Sequence, residues 1–315
     1  MLKKNLMGAV MEWTDITRLN SLIKATEADG TKLEEIGVSG EGRPLYGITI
    51  GDSSAPYTVV IIAGCHANEI IGPLAAVSLL HRLTQQPLPT VKFGIVPVAD
   101  PDSLSRNASE LPSKPTLCDL LRLNHCRDLE GYFITDTYPE CIAIRQWLQR
   151  FARIDAYFSL HSAGVISPGL FFYIGQGVNP SYIEPVANSI ATVLPKDLPL
   201  LSHDPTGLSQ VAFSPGFFEL SIANSNGENR KSPGSSLAFV DQHFQPQFMG
   251  ATELPLAVCP ALKNGSLLAI EQYNREFQQT GLAQYPFREI DLTMQLSIMQ
   301  AFIVSVAQCV TVIHT

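Results

Sequence analysis

The stretch Thr58-Val59-Val60-Ile61-Ile62-Ala63-Gly64-Cys65-His66-Ala67-Asn68-Glu69 is the most informative in the chain. Its first six residues are a continuous apolar and β-branched run, the make-up of a strand buried on both faces. From about residue 70 to residue 83 the apolar positions take helical spacing instead. A glycine and a histidine therefore stand where a buried strand turns into a helix. His66 and Glu69, three apart at a helix start, point to one side and can both ligate one metal ion. The same string also reads as an ordinary surface pair.

Outward from this turn the pattern alternates. A helix is expected over 13–28, then strands over 33–38 and 45–50 around the turn Ser39-Gly40-Glu41-Gly42. Further strands are expected over 91–99, 154–160, 169–175, 217–223 and 250–258. Helices are expected over 139–152, 181–194, 236–243, 265–279 and 290–312. Residues 101–138 read as one long irregular connection, and 224–235, rich in Asn, Ser, Gly and Pro, as a mobile loop. Strands alternating with helices imply an α/β fold in three layers (α/β/α), a mixed sheet with helices on both faces. No break in composition marks a second unit. The expectation is a single domain over 1–315, with a core over about 15–280 and a helical extension over 281–315.

Composition narrows the function. The 315 residues are 45% hydrophobic and 16% charged, with a net charge of −8. A pI near 5.4 argues against nucleic acid, whose phosphates need a clustered positive surface. The N-terminus lacks the apolar run of a secretory signal, and the apolar C-terminus is interrupted by Gln300 and Gln308. It reads as a packed helix rather than a membrane span. Six dispersed cysteines fit reduced thiols in the cytoplasm better than a disulfide framework.

Two more strand ends carry chemistry. His161 closes the expected strand over 154–160, and Glu253, in Thr252-Glu253-Leu254, lies on another. Ligands of open α/β sheets gather at the carboxyl ends of strands. Two His and one Glu are a ligand set that suits zinc and leaves a fourth position for water. A second site from Cys118, His125, Cys126 and Cys141 fits no standard ligand spacing.

At this point the chain resembles the zinc carboxypeptidases of the carboxypeptidase A type. Ile36-Gly37-Val38-Ser39-Gly40-Glu41-Gly42-Arg43-Pro44-Leu45 is similar to the family's lead-in, and Gly64 to Glu69 to its G-x-H-x-x-E turn. Val96-Pro97-Val98-Ala99-Asp100-Pro101-Asp102 resembles its P-x-x-N-P-D-G segment. Gly234-Ser235-Ser236 through Thr252-Glu253-Leu254 resembles its closing segment. The resemblance implies a mixed sheet of about eight strands. It implies one Zn²⁺ held by His66, Glu69 and His161, and Glu253 as general base. Glu219, in Phe217-Phe218-Glu219-Leu220, is a rival for that role. The 95 residues from His66 to His161 look more like compact bacterial relatives, including the succinylglutamate desuccinylase and aspartoacylase branch.

Departures concern the substrate. Where the family has D-L-N-R-N-F, this chain has Asp128-Leu129-Glu130-Gly131-Tyr132-Phe133. No guanidinium stands at the position that would clamp a C-terminal carboxylate. Arg127 is one substitute for binding substrate, whereas Glu130 suits a cationic substrate end. Arg122 resembles the family's upstream arginine that polarises the scissile carbonyl. The implied activity is zinc-dependent hydrolysis of an amide, in a peptide or an N-acyl amino acid. The alternative is an impaired zinc-binding module of the same fold.

Overall fold

The computed structural model describes residues 11–26, 30–162, 166–209, 211–220 and 234–313. A nine-stranded mixed sheet forms the middle layer. Its first half contains β1 (Thr31–Val38), β2 (Pro44–Ile50), β3 (Tyr57–Ala63), β4 (Val91–Val96) and β5 (Ala156–His161). Two residues, Ile166–Ser167, make β6, and β7 (Phe171–Gly175) returns to the main sheet. The rest are β8 (Ala212–Ser214), β9 (Phe217–Leu220) and β10 (Phe248–Glu253), with β11 (Ala257–Val258) and β12 (Arg288–Glu289) beyond. The strand order is β1-β2-β4-β3-β5-β10-β7-β9-β8, while β12-β11-β6 form a separate small sheet. Strands β4, β3, β5 and β10 run parallel, so β3, β5 and β10 end at one edge.

Helices cover both faces. Val59 and Ile61 point into one apolar cluster, and Val60 and Ile62 into the other, as the two-residue period of a strand requires. On the first face lie α1 (Leu19–Ala25), α2 (Ile71–Gln85), α6 (Ile183–Val193) and α9 (Leu292–Cys309). On the second lie α5 (Pro139–Leu148) and α7 (Ser236–Phe244). Helix α9 is long and apolar enough to cross a membrane by composition. Here it packs on α6 and α2, and Phe302 sits among Phe158, Phe172, Phe217 and Phe248 with ring centroids 4.8–6.5 Å apart.

Two expectations need correction. Residues 101–138 are not one irregular connection but hold α3 (Pro101–Glu110) and α4 (Leu117–Leu121). Asp100 caps α3 by accepting from the Ser103 N–H at 3.0 Å, with Pro101 at the first helical position. The strand expected over 250–258 is two strands. Pro255, which has no N–H to give a ladder, lies between β10 and β11, and they join different sheets. Helix α8 (Leu267–Thr280) completes the set. The strand expected over 217–223 ends at Leu220, and its remainder, like most of 224–235, lies outside the described residues.

Candidate metal centre

Three segments meet at the shared edge of the sheet. β3 delivers the turn bearing His66 and Glu69, β5 ends on His161, and β10 ends on Glu253, which pairs in register with His161. Thr252 locks the two strand ends together. Its hydroxyl accepts from the His161 N–H at 2.9 Å and donates to the His161 carbonyl at 2.7 Å.

His66, Glu69 and His161 offer ligand atoms that all lie within 4.8 Å of one another. Glu69 bridges the imidazoles, with Oε1 3.1 Å from His66 Nδ1 and Oε2 2.9 Å from His161 Nδ1. The far nitrogens are both engaged: His66 Nε2 with Asp128 Oδ1 at 2.9 Å, His161 Nε2 with Ser159 Oγ at 2.8 Å. Each ring is thus oriented by a polar partner so that Nδ1 faces the carboxylate, the arrangement in which imidazoles serve as metal ligands. Two imidazoles and one carboxylate converging on one point fit a zinc ion. Among the described residues this is the one group of three or more His, Cys, Asp or Glu so placed.

The electrostatics agree with a cation site. Burial by itself would lower the His66 pKa, but Asp128 and Glu69 outweigh it and push it up to about 11. Burial would raise Glu69, yet the His161 and His66 charges pull it down to about 2. Among the described residues Glu253 has no such hydrogen-bonded cation. Burial, then the Glu69 charge, raises it to about 8 against the opposing pull of His161 and His66.

The sequence reading missed Asp128 as a partner of His66. Asp128 occupies a left-handed conformation, φ 47°, and its backbone and side chain both accept from the Gly131 N–H. The Leu129 N–H donates to the Cys65 carbonyl, tying this turn to the ligand turn. Removing an outer partner of this kind costs metal affinity about 10- to 100-fold. Asp128→Ala is therefore expected to weaken zinc binding by about that factor, measured by competition with a chelator. Unchanged affinity would refute the role.

Arg127 does not face the three ligands as a free cation. It forks onto both oxygens of Asp100 and reaches Glu140 Oε1 at 2.7 Å, and both acids are fully buried. Asp102 joins the knot, accepting from Ser39 Oγ at 2.5 Å and from Arg43 at 2.8 Å, while the Gly40 N–H donates to Glu140. The lead-in turn, the Asp100–Asp102 segment and Arg127 are thus one buried ion-pair network directly before Asp128.

Glu130 lies against the first turn of α7. Its Oε1 accepts from Ser236 Oγ at 2.7 Å, and its buried Oε2 has no partner among the described residues. Burial, with the nearby Glu130 charge, raises the Cys65 thiol well above its ordinary value, which makes it a packing residue rather than a nucleophile. Arg122 has no hydrogen bond or ion pair to the three ligands among the described residues, and its Nε donates to the Gln278 carbonyl at 2.9 Å. Glu219 stands level with Gly250 through Ile174 of β7. That is three residues short of the Glu253 level and two strands away, about 10 Å in each direction.

Residues 16–111 match the family model for zinc carboxypeptidase, a segment that includes His66 and Glu69. No curated protein matches the sequence significantly. Solved structures do match. A provisionally assigned carboxypeptidase A from Shewanella denitrificans is 16% identical with a TM-score of 0.59, over 93% of this chain and 68% of that one. A metallo-carboxypeptidase from Burkholderia cenocepacia is 14% identical with a TM-score of 0.55, over 93% and 69%. Carboxypeptidase A from Helicoverpa armigera is 14% identical with a TM-score of 0.57, over 97% and 75%. Identities at this level speak for the fold alone, and the family-model match is confined to residues 16–111. Over residues 16–111 the chain is thus similar to the zinc carboxypeptidase family, and its fold and its converging His-Glu-His group are in keeping with that similarity.

Proposed function

We propose that the protein hydrolyses an amide bond in a peptide or an N-acyl amino acid, with His66, Glu69 and His161 holding one zinc ion and Glu253 as general base. A zinc ion held there supplies Lewis acidity to the scissile carbonyl and lowers the pKa of water toward neutrality. Asp128 and Ser159 keep the two imidazoles turned inward, and Thr252 fixes His161 and Glu253 at one level. Glu253 takes the proton of the attacking water and returns it to the leaving amine.

The observation that carries this reading is the Glu253 carboxyl. It is registered against His161 and, among the described residues, has no hydrogen-bonded cation, while burial and then the Glu69 charge raise its pKa, the setting of a carboxyl that exchanges a proton. The cytoplasm is the proposed setting, on the strength of six unpaired cysteines. Turnover of blocked dipeptides and N-acyl amino acids by the zinc-loaded protein, set beside Glu253→Gln, is the test. Stoichiometric zinc with no turnover on either class would refute it and leave a metal-binding module.

A further inference from the structure

The Glu130 carboxylate is an acid with no cation beside it. Its Oε1 accepts from Ser236 Oγ at 2.7 Å and its Oε2 is buried without a partner, and no Lys, Arg or His forms an ion pair with it among the described residues. An anion in that setting is costly unless a positive charge lies within reach. Its neighbours supply none. Burial and then the Glu130 charge raise the pKa values of Cys65, Cys141 and Tyr157, three side chains at most 1% exposed.

The charge sits behind one of the three ligands. Tyr157, Ser159 and His161 alternate along β5, so their side chains share one face of the sheet. Ser159 Oγ lies 2.8 Å from His161 Nε2, and Tyr157 continues the row toward Glu130. The carboxylate acts on His161 itself: burial works to lower that imidazole's pKa, while Glu69 and then Glu130 raise it. The backbone holds Glu130 in place. On one side the Leu129 N–H donates to the Cys65 carbonyl at 3.2 Å, and on the other Cys141 Sγ donates to the Leu129 carbonyl at 3.7 Å. Each imidazole therefore has an acid at its back, Asp128 directly on His66 at 2.9 Å and Glu130 beyond Ser159 and Tyr157 for His161.

We infer that the Glu130 carboxylate is an outer counter-charge of the metal centre: from behind His161 it favours a divalent cation held by His66, Glu69 and His161, and it does not bind substrate. A cation at that point supplies the positive charge that the side chains around Glu130 lack. The inference rests on the proposed metal site and is independent of the proposed hydrolysis.

The test compares wild type with Glu130→Gln and Glu130→Asp. Zinc affinity is measured by competition with a chelator, and urea midpoints are taken for the metal-free proteins. Glutamine keeps the size and can still accept from Ser236 but carries no charge, whereas aspartate keeps the charge. Glu130→Gln is expected to bind zinc about ten-fold or more weakly, the scale on which outer partners act, and Glu130→Asp to recover most of that loss. Metal-free Glu130→Gln should unfold at the same urea concentration as wild type or a higher one, because it has lost an unpaired charge. Equal zinc affinity in wild type and Glu130→Gln overturns the inference and leaves the metal site standing. If equal affinity comes with a raised KM for substrates bearing an amino group, Glu130 is a substrate residue instead. Equal weakening by both variants, with a lower urea midpoint, overturns the inference in favour of packing. A wild type that takes up no zinc overturns the metal centre first and this inference with it.

Discussion

Glu253→Gln is expected to lower kcat by about 10²- to 10⁴-fold while the protein keeps its zinc and its fold, since general acid–base catalysis contributes on that scale. Glutamine preserves the size and the strand register with His161 but can neither accept nor return a proton. The parallel variant Glu219→Gln is expected to stay close to wild type. Its side chain stands on β9, short of the strand ends and outside the ligand group. Retention of full activity by Glu253→Gln, or its loss in Glu219→Gln, would move the base to the other strand.

The second large effect concerns stability. Arg127→Met is expected to cost about 3–5 kcal/mol, because it leaves buried carboxylates without their cation. Asp100 and Glu140 are both fully buried, and Arg127 is the guanidinium that bridges them. The sign of the pH dependence follows. Burial works to raise the Asp102 pKa, but Ser39, Arg43 and Arg127 hold it below its ordinary value. A depressed folded-state pKa stabilises the fold above the ordinary aspartate value of about 3.9 and loses that contribution as pH falls through the folded value. Without Arg127, Asp102 loses one of the charges that depress it, so the gap between wild type and variant should shrink as pH falls below about 3.9. Urea titrations at pH 7 and about pH 3 would show it. A variant as stable as wild type at pH 7 would mean that the acids find another partner.

Those residues also show what a sequence reveals and what it hides. The alternation of strands and helices was legible because it is local: periodicity, the Gly64 turn and the apolar run of β3 report directly on neighbours in the chain. His66, Glu69 and His161 were legible as residues at strand ends, which is a topological rule rather than a contact. The partnership of Asp128 with His66 spans 62 residues and depends on a left-handed turn, so spacing does not display it. The partners of Arg127 are hidden for a related reason. Its charge suggested a substrate anion, whereas its partners lie 27 and 13 residues away in the buried acids Asp100 and Glu140. Helix α3 carries a readable signal, an Asp cap followed by Pro at the first position, inside a stretch whose composition suggests a long irregular connection. The break between β10 and β11 was likewise written in Pro255.

The most direct measurement is zinc content by elemental analysis of purified wild type and His161→Ala after dialysis against metal-free buffer. About one zinc per wild-type chain, lost in the variant, is the expected result for a site closed by His66, Glu69 and His161. No zinc in either protein, even after zinc is added back, would contradict the metal centre and with it the hydrolase.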